Sequence, residues 1–350
     1  MAASLRRPGY RLALATTVLA ALVVMLGATT RLTHSGLGCP DWPGCYGFLG
    51  VPMSEARQAL AAERFPEAPL DVAKGWYEMV HRYVAGSLGL MILALAIQAV
   101  RRRGDSQPLR LPLALLTLVV AQALFGMWTV TLRLWPQVVT LHLLGGLATL
   151  ALLWLLSLRL SGRPPSPVPA AGAGRRPLRR LASLALLLTA LQIALGGWVS
   201  SNYAAVACLD FPTCQGRWWP PMDFANGFHL TQHIGPDYLG GQLYLEARTA
   251  IQVTHRLGAA LLALVAGGLA LALWRAGLAR LAGALAAALV AQLAIGAAMV
   301  LSSLPLPLAI AHHAGAAVLL LVLVGVRYRL RMPAAAPSAA RATINAEAPA

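Results

Sequence analysis

The chain has 350 residues, of which 58% are hydrophobic and only 11% are charged, and its mean hydropathy is +0.65. A soluble domain carries about a quarter charged residues, so the composition excludes an ordinary globular enzyme, a disordered chain and a nucleic-acid-binding protein. The net charge of +16 comes from arginine clusters in alternate loops, a pattern typical of the cytoplasmic side of a membrane protein. The partner that this composition indicates is a lipid bilayer, and no nucleic acid is needed to explain the charge.

Eight apolar segments are long enough to cross a bilayer, which takes about 20 residues of helix. In chain order they lie near residues 12–30, 77–100, 111–132, 137–158, 180–201, 246–273, 281–303 and 307–326. The positive-inside rule predicts that both termini are cytoplasmic and that the cysteine-containing loops are outside. The sequence therefore predicts an all-α, multi-pass protein of a bacterial-type inner (plasma) membrane.

A linker rich in proline and alanine divides the eight segments into two groups of four. The predicted divisions are a cytoplasmic N-terminus at 1–11, an N-terminal four-helix bundle at 12–160 with an outer loop at 31–76, a cytoplasmic linker at 161–179, a C-terminal four-helix bundle at 180–326 with an outer loop at 202–245, and a disordered cytoplasmic tail at 327–350.

The two groups carry the same motifs in the same order, at offsets of 169 to 174 residues. The matched residues are Cys39/Cys208, Cys45/Cys214, Gln122/Gln292, Gly126/Gly296, His81/His255 and His142/His312, and Gln192 with Gly196 repeats the glutamine–glycine spacing once more. Because each group has an even number of helices, the repeats run parallel, unlike the inverted repeats of many transporters. We therefore predict two pseudo-symmetric four-helix bundles with both cysteine loops on one side.

Four histidines lie at repeat-related positions near the outer ends of their helices: His81, His142, His255 and His312. Ionisable groups inside a membrane are costly and usually functional, and two facing imidazoles at one depth suit axial ligation of haem iron. Glycine lies one turn after three of the four, which leaves room for a porphyrin plane. The alternatives are interhelical packing and metal binding without haem. The loop residues His34, His229 and His233 are predicted to be surface or loop-packing residues.

A carboxyl group breaks the symmetry of the two histidine pairs. Glu78 stands three residues before His81, whereas Gln252 stands three residues before His255. This spacing puts each side chain on the same helix face as its histidine, so only the N-terminal bundle has a titratable group there. We therefore expect a reaction in the N-terminal bundle and a permanent cofactor in the C-terminal one. The alternative for Glu78 is an interfacial salt bridge.

Arg82 and Arg256 directly follow two of these histidines. Both are candidate partners for haem propionates, because a guanidinium group suits a carboxylate. Equally, both side chains are long enough to reach the membrane interface without binding a ligand.

All four cysteines lie in the predicted outer loops, as the pairs Cys39/Cys45 and Cys208/Cys214. An oxidising outer compartment favours disulfides, and structural disulfides are the first interpretation. A redox-active first pair is the alternative, because the intervening residues PDWPG predict a strained, partly exposed loop. The spacing does not favour zinc, which prefers two residues between paired cysteines.

The segments TRLTHSGLGCPDWPGC, EMVHR, TLHLLGG, CLDFPTCQGRWWPP, THRLG and AHHAG occur in this order and together resemble the haem A synthase family of cytochrome oxidase assembly enzymes. The resemblance covers about residues 12–326. It implies eight membrane helices and oxidation of the C8 methyl group of the substrate haem O to the formyl group of haem A.

The same resemblance assigns roles to particular residues. It implies a haem b cofactor between His255 and His312, substrate haem O between His81 and His142, and a catalytic acid at Glu78. It also implies membership of the cysteine-bearing subgroup, in which the first cysteine pair is proposed to pass reducing equivalents. The doubled histidine at 312–313 departs from the pattern; glycine spacing selects the first, and His313 is the alternative.

Two other functions fit parts of the sequence. A di-haem, cytochrome b-type quinol oxidoreductase explains the repeat and the histidines but leaves the Glu78/Gln252 difference unexplained. A transporter or haem-handling channel explains the helices but gives the histidines no task. On pathway grounds the expected partners are haem O synthase and oxidase assembly factors, together with an electron acceptor that the sequence does not identify.

Overall fold

The computed structural model describes residues 7–103, 108–162, 175–231 and 236–331. The predictions for residues 1–6, for most of the linker (163–174), for His233 and for the tail from residue 332 lie outside the described residues.

Eight of the helices in the described residues are long and apolar enough to cross a membrane, which confirms the eight predicted segments. They are α1 (Tyr10–Leu32), α3 (Val72–Arg101), α4 (Arg110–Thr131), α5 (Pro136–Leu160), α6 (Arg175–Ser201), α8 (Leu245–Arg275), α9 (Ala279–Leu301) and α10 (Leu306–Arg331). Two shorter helices, α2 (Glu55–Arg64) and α7 (Phe224–Gly227), and a 3-10 turn at Ala204–Ala207 lie in the cysteine-containing loops. No strand element occurs in the described ranges, so the protein is an all-α, multi-pass membrane protein.

Several helices extend beyond the predicted apolar segments. Helix α3 begins at Val72 because the Asp71 side chain caps it, accepting from the main-chain N–H of Lys74 at 3.0 Å. Helix α6 begins at Arg175, inside the predicted linker 161–179, and α10 continues to Arg331, past the predicted start of the tail at 327. The predicted apolar segments are shorter than these helices because they leave out the charged helix ends. Arginine side chains can reach the membrane interface from the end of a helix, and those in the last turn of α10 also favour its dipole.

The long helices pack as two groups of four. Helices α1, α3, α4 and α5 contact one another in a ring and form the N-terminal bundle, and α6, α8, α9 and α10 form the C-terminal bundle in the same manner. Helices α1 and α5 of the first bundle contact α6 and α10 of the second. This arrangement is compatible with the predicted parallel repeat.

One apolar core joins the two bundles. Leu150, Leu153 and Leu156 of α5 are fully buried and belong to the same cluster as Leu320 of α10. Trp154 Nε1 donates a hydrogen bond of 3.1 Å across this interface to the carbonyl oxygen of Leu321. Since dispersion and hydrogen bonds, rather than the hydrophobic effect, drive helix association in lipid, these contacts hold the bundles in a fixed relation.

Both cysteine loops lie at the same end of the helices, which we call the disulfide end, and arginines concentrate at the opposite, arginine end. Last-turn arginines of α3, α5, α8 and α10 lie at the arginine end: Arg101, Arg159, Arg275, Arg329 and Arg331. The four repeat-related histidines lie within the first three turns of their helices at the disulfide end.

Candidate functional site

Each of the four histidines rests against a glycine of a neighbouring helix. A methyl group added to the glycine would lie 2.9–3.4 Å from Cε1 of the imidazole in the pairs Gly27/His81, Gly126/His142, Gly196/His255 and Gly296/His312. A larger residue would therefore displace every ring. The glycines that the sequence analysis found as repeat markers serve to seat the histidines.

The histidines lie near each other in pairs, one pair in each bundle. His142 interacts electrostatically with His81, and His255 interacts with His312. Within the described ranges, no three histidine, cysteine or acidic side chains come together as a metal cage. Two imidazoles without further ligands are the donor set that a haem iron takes at its axial positions.

Glutamines contact the histidines of the C-terminal bundle. Gln192 Nε2 lies 3.0 Å from Nδ1 of His255 and donates to the main-chain oxygen of the same histidine at 2.9 Å. Gln292 Nε2 lies 3.3 Å from Nε2 of His312. A hydrogen-bonded imidazole keeps its ring orientation and tautomer, which prepares it to act as a ligand.

The histidines of the N-terminal bundle have no such side-chain partner among the described residues. Val23 occupies the position on α1 that Gln192 occupies on α6, and the His81 ring interacts only with the main chain of that valine. Nδ1 of His81 and Nδ1 of His142 are buried without a hydrogen-bond partner in the described residues.

The residues present fit a haem in each bundle. Orphaned, buried imidazole nitrogens occur in both pairs, since Nδ1 of His312 also lacks a partner in the described part of the chain. Gly86 and Gly146, which follow the two N-terminal histidines, have open space where a side chain would stand. His313, the alternative ligand, lies beside His312 without a glycine seat of its own in the described residues, which favours His312.

Glu78 is buried at the disulfide end, one turn from His81, with 4% of its surface exposed. Its Oε2 accepts a hydrogen bond of 3.0 Å from the main-chain N–H of Cys39, and its Oε1 accepts from Arg82 in an ion pair. The equivalent Gln252 is equally buried, and its Oε1 has no partner in the described residues. The salt bridge weighed as the alternative is therefore present, and it holds the carboxylate beside the histidine.

Arg82 and Arg256 bind the cysteine loops. Nη1 of Arg82 donates to the main-chain oxygens of Asp41, Pro43 and Gly44 at 2.9, 3.2 and 2.6 Å. Arg256 donates in the same way to the carbonyl oxygens of the second loop, at 2.9 Å to residue 208 and 2.6 Å to residue 213. Both arginines thus bind carbonyls of a loop about forty residues upstream, contacts that neither alternative predicted, and binding of a haem propionate stays a prediction.

Both predicted cysteine pairs form disulfides, Cys39–Cys45 and Cys208–Cys214. The loop between the cysteines of the first pair is partly exposed, as predicted, but its exposure does not extend to the sulfurs. Trp42 at the apex of the loop is 40% exposed, whereas both cysteines of that pair are fully buried. Helix α2, which the sequence analysis did not predict, packs Ala61 into the same small core. Burial of the sulfurs favours a structural role, because exchange needs access.

An aspartate closes each disulfide loop. Asp41 accepts from the main-chain N–H groups of Tyr46 and Gly47 at 2.7 and 2.8 Å. The equivalent Asp210 accepts from the N–H groups of residues 215 and 216 at 2.7 and 3.0 Å, and also from the hydroxyl of Thr213 at 2.6 Å. The sequence analysis missed this cap, although the two aspartates share the 169-residue offset of the cysteines.

The remaining described histidines lie at the surface, as expected. His34 and His229 are exposed, and His34 stacks on Tyr203 with ring centroids 5.4 Å apart. Arg31, at the end of α1, donates to the hydroxyl of Tyr203 at 2.8 Å and to the carbonyl oxygen of Ser200 at 2.5 Å. These contacts join the two bundles at the disulfide end, and the sequence analysis had found no signal for them.

The family of the chain follows from comparison with known proteins. The family model described as cytochrome oxidase assembly protein matches residues 10–324, which include all eight long helices or most of each. The chain belongs to this family. The resemblance read from the motifs is thereby confirmed.

Relatives in this family are named haem A synthase. That of Shewanella oneidensis is 42% identical over 244 residues, which cover 70% of this chain and 72% of the relative. That of Rhodospirillum centenum is 33% identical over 303 residues, covering 80% of this chain and 77% of the relative. That of Rhizorhabdus wittichii is 28% identical over 307 residues, covering 81% and 83%.

Proposed function

We propose that this protein is a haem A synthase, which oxidises the C8 methyl group of haem O to a formyl group for terminal oxidase assembly. The observation that carries the proposal is the difference between two similar histidine pairs in a chain of this family. One pair has a buried carboxylate beside it, and the other has a neutral amide at the same position. A permanent electron carrier does not need this difference, whereas an enzyme with a substrate site and a cofactor site does.

The substrate site is the N-terminal bundle, residues 12–160. His81 and His142 bind the iron of haem O, and the glycines that seat their rings fix the depth of the porphyrin. Because helix positions fix the two rings, the iron that they would hold keeps one position relative to Glu78, which lies one turn from His81. Positioning of a reacting carbon beside a catalytic group is among the largest contributions that an enzyme makes to a rate.

The cofactor site is the C-terminal bundle, residues 180–326. His255 and His312 would hold the iron of haem b, which would supply an electron-accepting centre when bound. The protein contributes the glycine seats and the hydrogen bonds from Gln192 and Gln292, which hold both imidazoles in a defined orientation. The electron acceptor beyond this bundle is a separate partner.

Glu78 handles protons at the reacting carbon. Conversion of a methyl group and one water to an aldehyde releases four protons and four electrons, so the site must pass protons repeatedly. The carboxylate is buried and held by Arg82 and by the N–H of Cys39, which keeps it in one place near the ring edge. General acid–base groups contribute about 10²–10⁴-fold to a rate when positioned in this way.

The first disulfide loop supports the substrate site by holding Glu78 in place. Its main-chain N–H at Cys39 orients Glu78, and the sulfurs are buried in a small core. We assign both disulfides a structural role. A redox role for Cys39–Cys45 requires the loop to open so that a thiol can reach the sulfur.

The disulfide end faces the outer, oxidising compartment, and the arginine end faces the cytoplasm. Arginine clusters at the opposite helix ends support this orientation through the positive-inside rule, and disulfides persist only in an oxidising compartment. After Arg331, only a fused reporter enzyme that works in the cytoplasm should be active. In the loop before α8, only an inserted reporter that works in the outer compartment should be active.

Chromatography of haems extracted from the purified protein tests the function. The protein is expressed with and without a source of haem O. We expect haem A, or its alcohol precursor, only when haem O is supplied, with haem B present in both samples. Haem B alone in both, with haem O demonstrably available, favours the di-haem electron-transfer protein. A sample without haem contradicts the histidine assignments.

A further inference from the structure

The hydrogen bonds between glutamines and histidines differ between the two bundles. The proposed reaction gives these glutamines no direct role. In the C-terminal bundle, Gln192 and Gln292 each direct a side-chain amide at a histidine of the neighbouring helix. In the N-terminal bundle Gln122, the counterpart of Gln292, packs against Gly145 as Gln292 packs against Gly315, but no side chain of the described residues of this bundle forms a hydrogen bond with His81 or His142. The clearer difference lies beside the first histidine. The bundle with the glutamine–histidine hydrogen bonds is the proposed cofactor site, and the bundle without them is the proposed substrate site.

Beside the first histidine of each bundle, two residues that contact each other in the C-terminal bundle are both replaced in the N-terminal bundle. Gln192 fits against its neighbour because the residue three positions after His255 is Gly258, whose missing side chain leaves room for Oε1. At the equivalent positions of the N-terminal bundle stand Val23 and Val84. Two valines replace the bulk of a glutamine and a glycine, but they offer no side-chain donor or acceptor.

The glutamine changes the chemistry of its histidine. When Nε2 of an imidazole binds a metal, Nδ1 carries the proton, and an acceptor for that N–H fixes the ring and makes it a stronger ligand. Oε1 of Gln192 has no partner in the described part of the chain. The amide nitrogen lies 3.0 Å from Nδ1 and 3.4 Å from Nε2 of His255 and donates to the main-chain oxygen of that residue at 2.9 Å. A turn of the amide that gives up this main-chain bond brings Oε1 towards the Nδ1 proton.

We propose that Gln192, accommodated by Gly258, is a positioning residue that makes the C-terminal site retain its haem, whereas Val23 and Val84 keep the N-terminal site exchangeable. This inference rests on the proposed function. A cofactor must stay through many turnovers, while a substrate haem must enter, react and leave. A histidine without a hydrogen-bonded partner releases iron more readily, so the pair of valines favours product release.

The test compares Gln192→Leu with Gln192→Glu in the full-length protein in detergent micelles. Transfer of resident haem b to excess apomyoglobin measures retention, and a redox titration gives the midpoint potential. We expect Gln192→Leu to release haem b about 10–100-fold faster, the usual effect of losing a partner of a metal-bound histidine. Its midpoint potential should rise, because an imidazole that donates less electron density stabilises ferric iron less.

Two controls separate positioning from packing. Gln192→Glu keeps an acceptor of the same length and should retain haem b at the wild-type rate. Gln98→Leu makes the same chemical change on α3 at the arginine end and should alter neither rate nor potential. A Gln192→Leu protein with wild-type haem transfer and potential overturns the proposal.

The reciprocal exchange, Val23→Gln with Val84→Gly, tests the N-terminal site and decides the matter where Gln192→Leu fails to assemble. Loaded with haem O, it should transfer this haem to apomyoglobin about tenfold more slowly than the wild type. Transfer at the wild-type rate overturns the proposal. Retention of haem b is measured without turnover, so an absence of haem A would contradict the proposed function alone.

Discussion

The two bundles share a scaffold and differ at a few positions beside their histidines. Both have glycine-seated histidines, an aspartate-capped disulfide loop and an arginine bound to the carbonyls of that loop. The positions that differ, with the N-terminal residue first, are Glu78/Gln252, Val23/Gln192, Val84/Gly258 and Gly44/Thr213. The scaffold therefore accounts for binding two similar flat ligands, and these few exchanges account for treating them differently.

Among these differences between the bundles, the buried carboxylate of Glu78 is the one with the largest cost in folding free energy. A buried charge is unfavourable unless it is paired and hydrogen-bonded, and Glu78 needs both Arg82 and the N–H of Cys39. The C-terminal bundle keeps the equivalent arginine on its loop with a neutral Gln252 instead. The arginine is thus needed for the loop in either bundle, and the carboxylate is an addition that indicates chemistry.

Replacing single histidines should have the largest effect on haem content and should affect the two bundles differently. His81→Ala or His142→Ala should reduce haem A to an undetectable level and leave haem b bound, because only the substrate loses a ligand. His255→Ala or His312→Ala should instead lower the haem b content at least about tenfold. Pyridine haemochrome spectra and chromatography of extracted haems measure both. Equal loss of haem b from all four variants would contradict the division into substrate and cofactor sites.

Glu78→Gln should remove catalysis and preserve binding. The amide oxygen can still accept from Cys39, so the loop keeps its contact, but the proton-accepting group is lost. We expect haem A formation to fall by about 100-fold or more, with product arrested at haem O or the alcohol and haem b unchanged. Gln252→Glu is the matched variant and should leave haem b chemically unaltered. Wild-type yield of haem A from Glu78→Gln would remove Glu78 from the mechanism.

Arg82→Lys and Arg256→Lys should separate loop binding from chemistry. A lysine cannot reproduce the fork that joins three carbonyls and a carboxylate, so Arg82→Lys loses one or more charge-assisted hydrogen bonds of about 1.5 kcal/mol each. If this free energy is lost from the stabilisation of the transition state, the rate of haem A formation falls about tenfold. Arg256→Lys has no carboxylate to misplace and should change haem A formation little. Equal effects of the two variants on single-turnover rates would show that the arginines act on the loops alone.

Much of this arrangement follows from sequence because it depends on local or repeated signals. Runs of about 20 apolar residues predicted the helices. The offset near 170 residues paired each histidine with its counterpart in the other half, and paired Gly126 with Gly296, but it did not predict that these glycines seat the histidines. The Glu78/Gln252 asymmetry also needed only alignment of one half with the other. Such features depend on helix periodicity and membrane depth, which a sequence encodes directly.

Other contacts depend on how the loops return to the helices, which periodicity does not encode. The carbonyls bound by Arg82 belong to a loop about forty residues upstream, and its backbone path follows from the Asp41 cap and the disulfide together. Burial of Cys39 and Cys45 depends on the unpredicted helix α2. The glutamines were visible as a motif, but their contact with the next helix required the geometry of both helices.

The smallest expected effect concerns the caps of the two disulfide loops. The hydroxyl of Thr213, followed by two main-chain N–H groups, lowers the pKa of Asp210 from 3.8 to about 2, whereas the first loop has Gly44 in place of the threonine. A lowered pKa in the folded state stabilises the protein above the unfolded pKa, and this stability is lost as the pH falls towards 2. Asp210→Asn should therefore lower the thermal midpoint at pH 7 and have progressively less effect below pH 4. Because Asp210 is only partly buried, solvent screens the interaction, and we expect a change of about 2 °C at most.

The matched variant Thr213→Gly gives the second loop the residue of the first and should reproduce part of this change. Thermal unfolding in micelles at pH 7 and pH 3 measures both variants, and Asp41→Asn supplies the comparison in the N-terminal loop. A destabilisation by Asp210→Asn that is equal at the two pH values would mean that the carboxyl group acts by shape and not by charge. In that case the hydroxyl of Thr213 orders the second loop without help from the charge of Asp210, and this difference between the two caps carries no pH dependence.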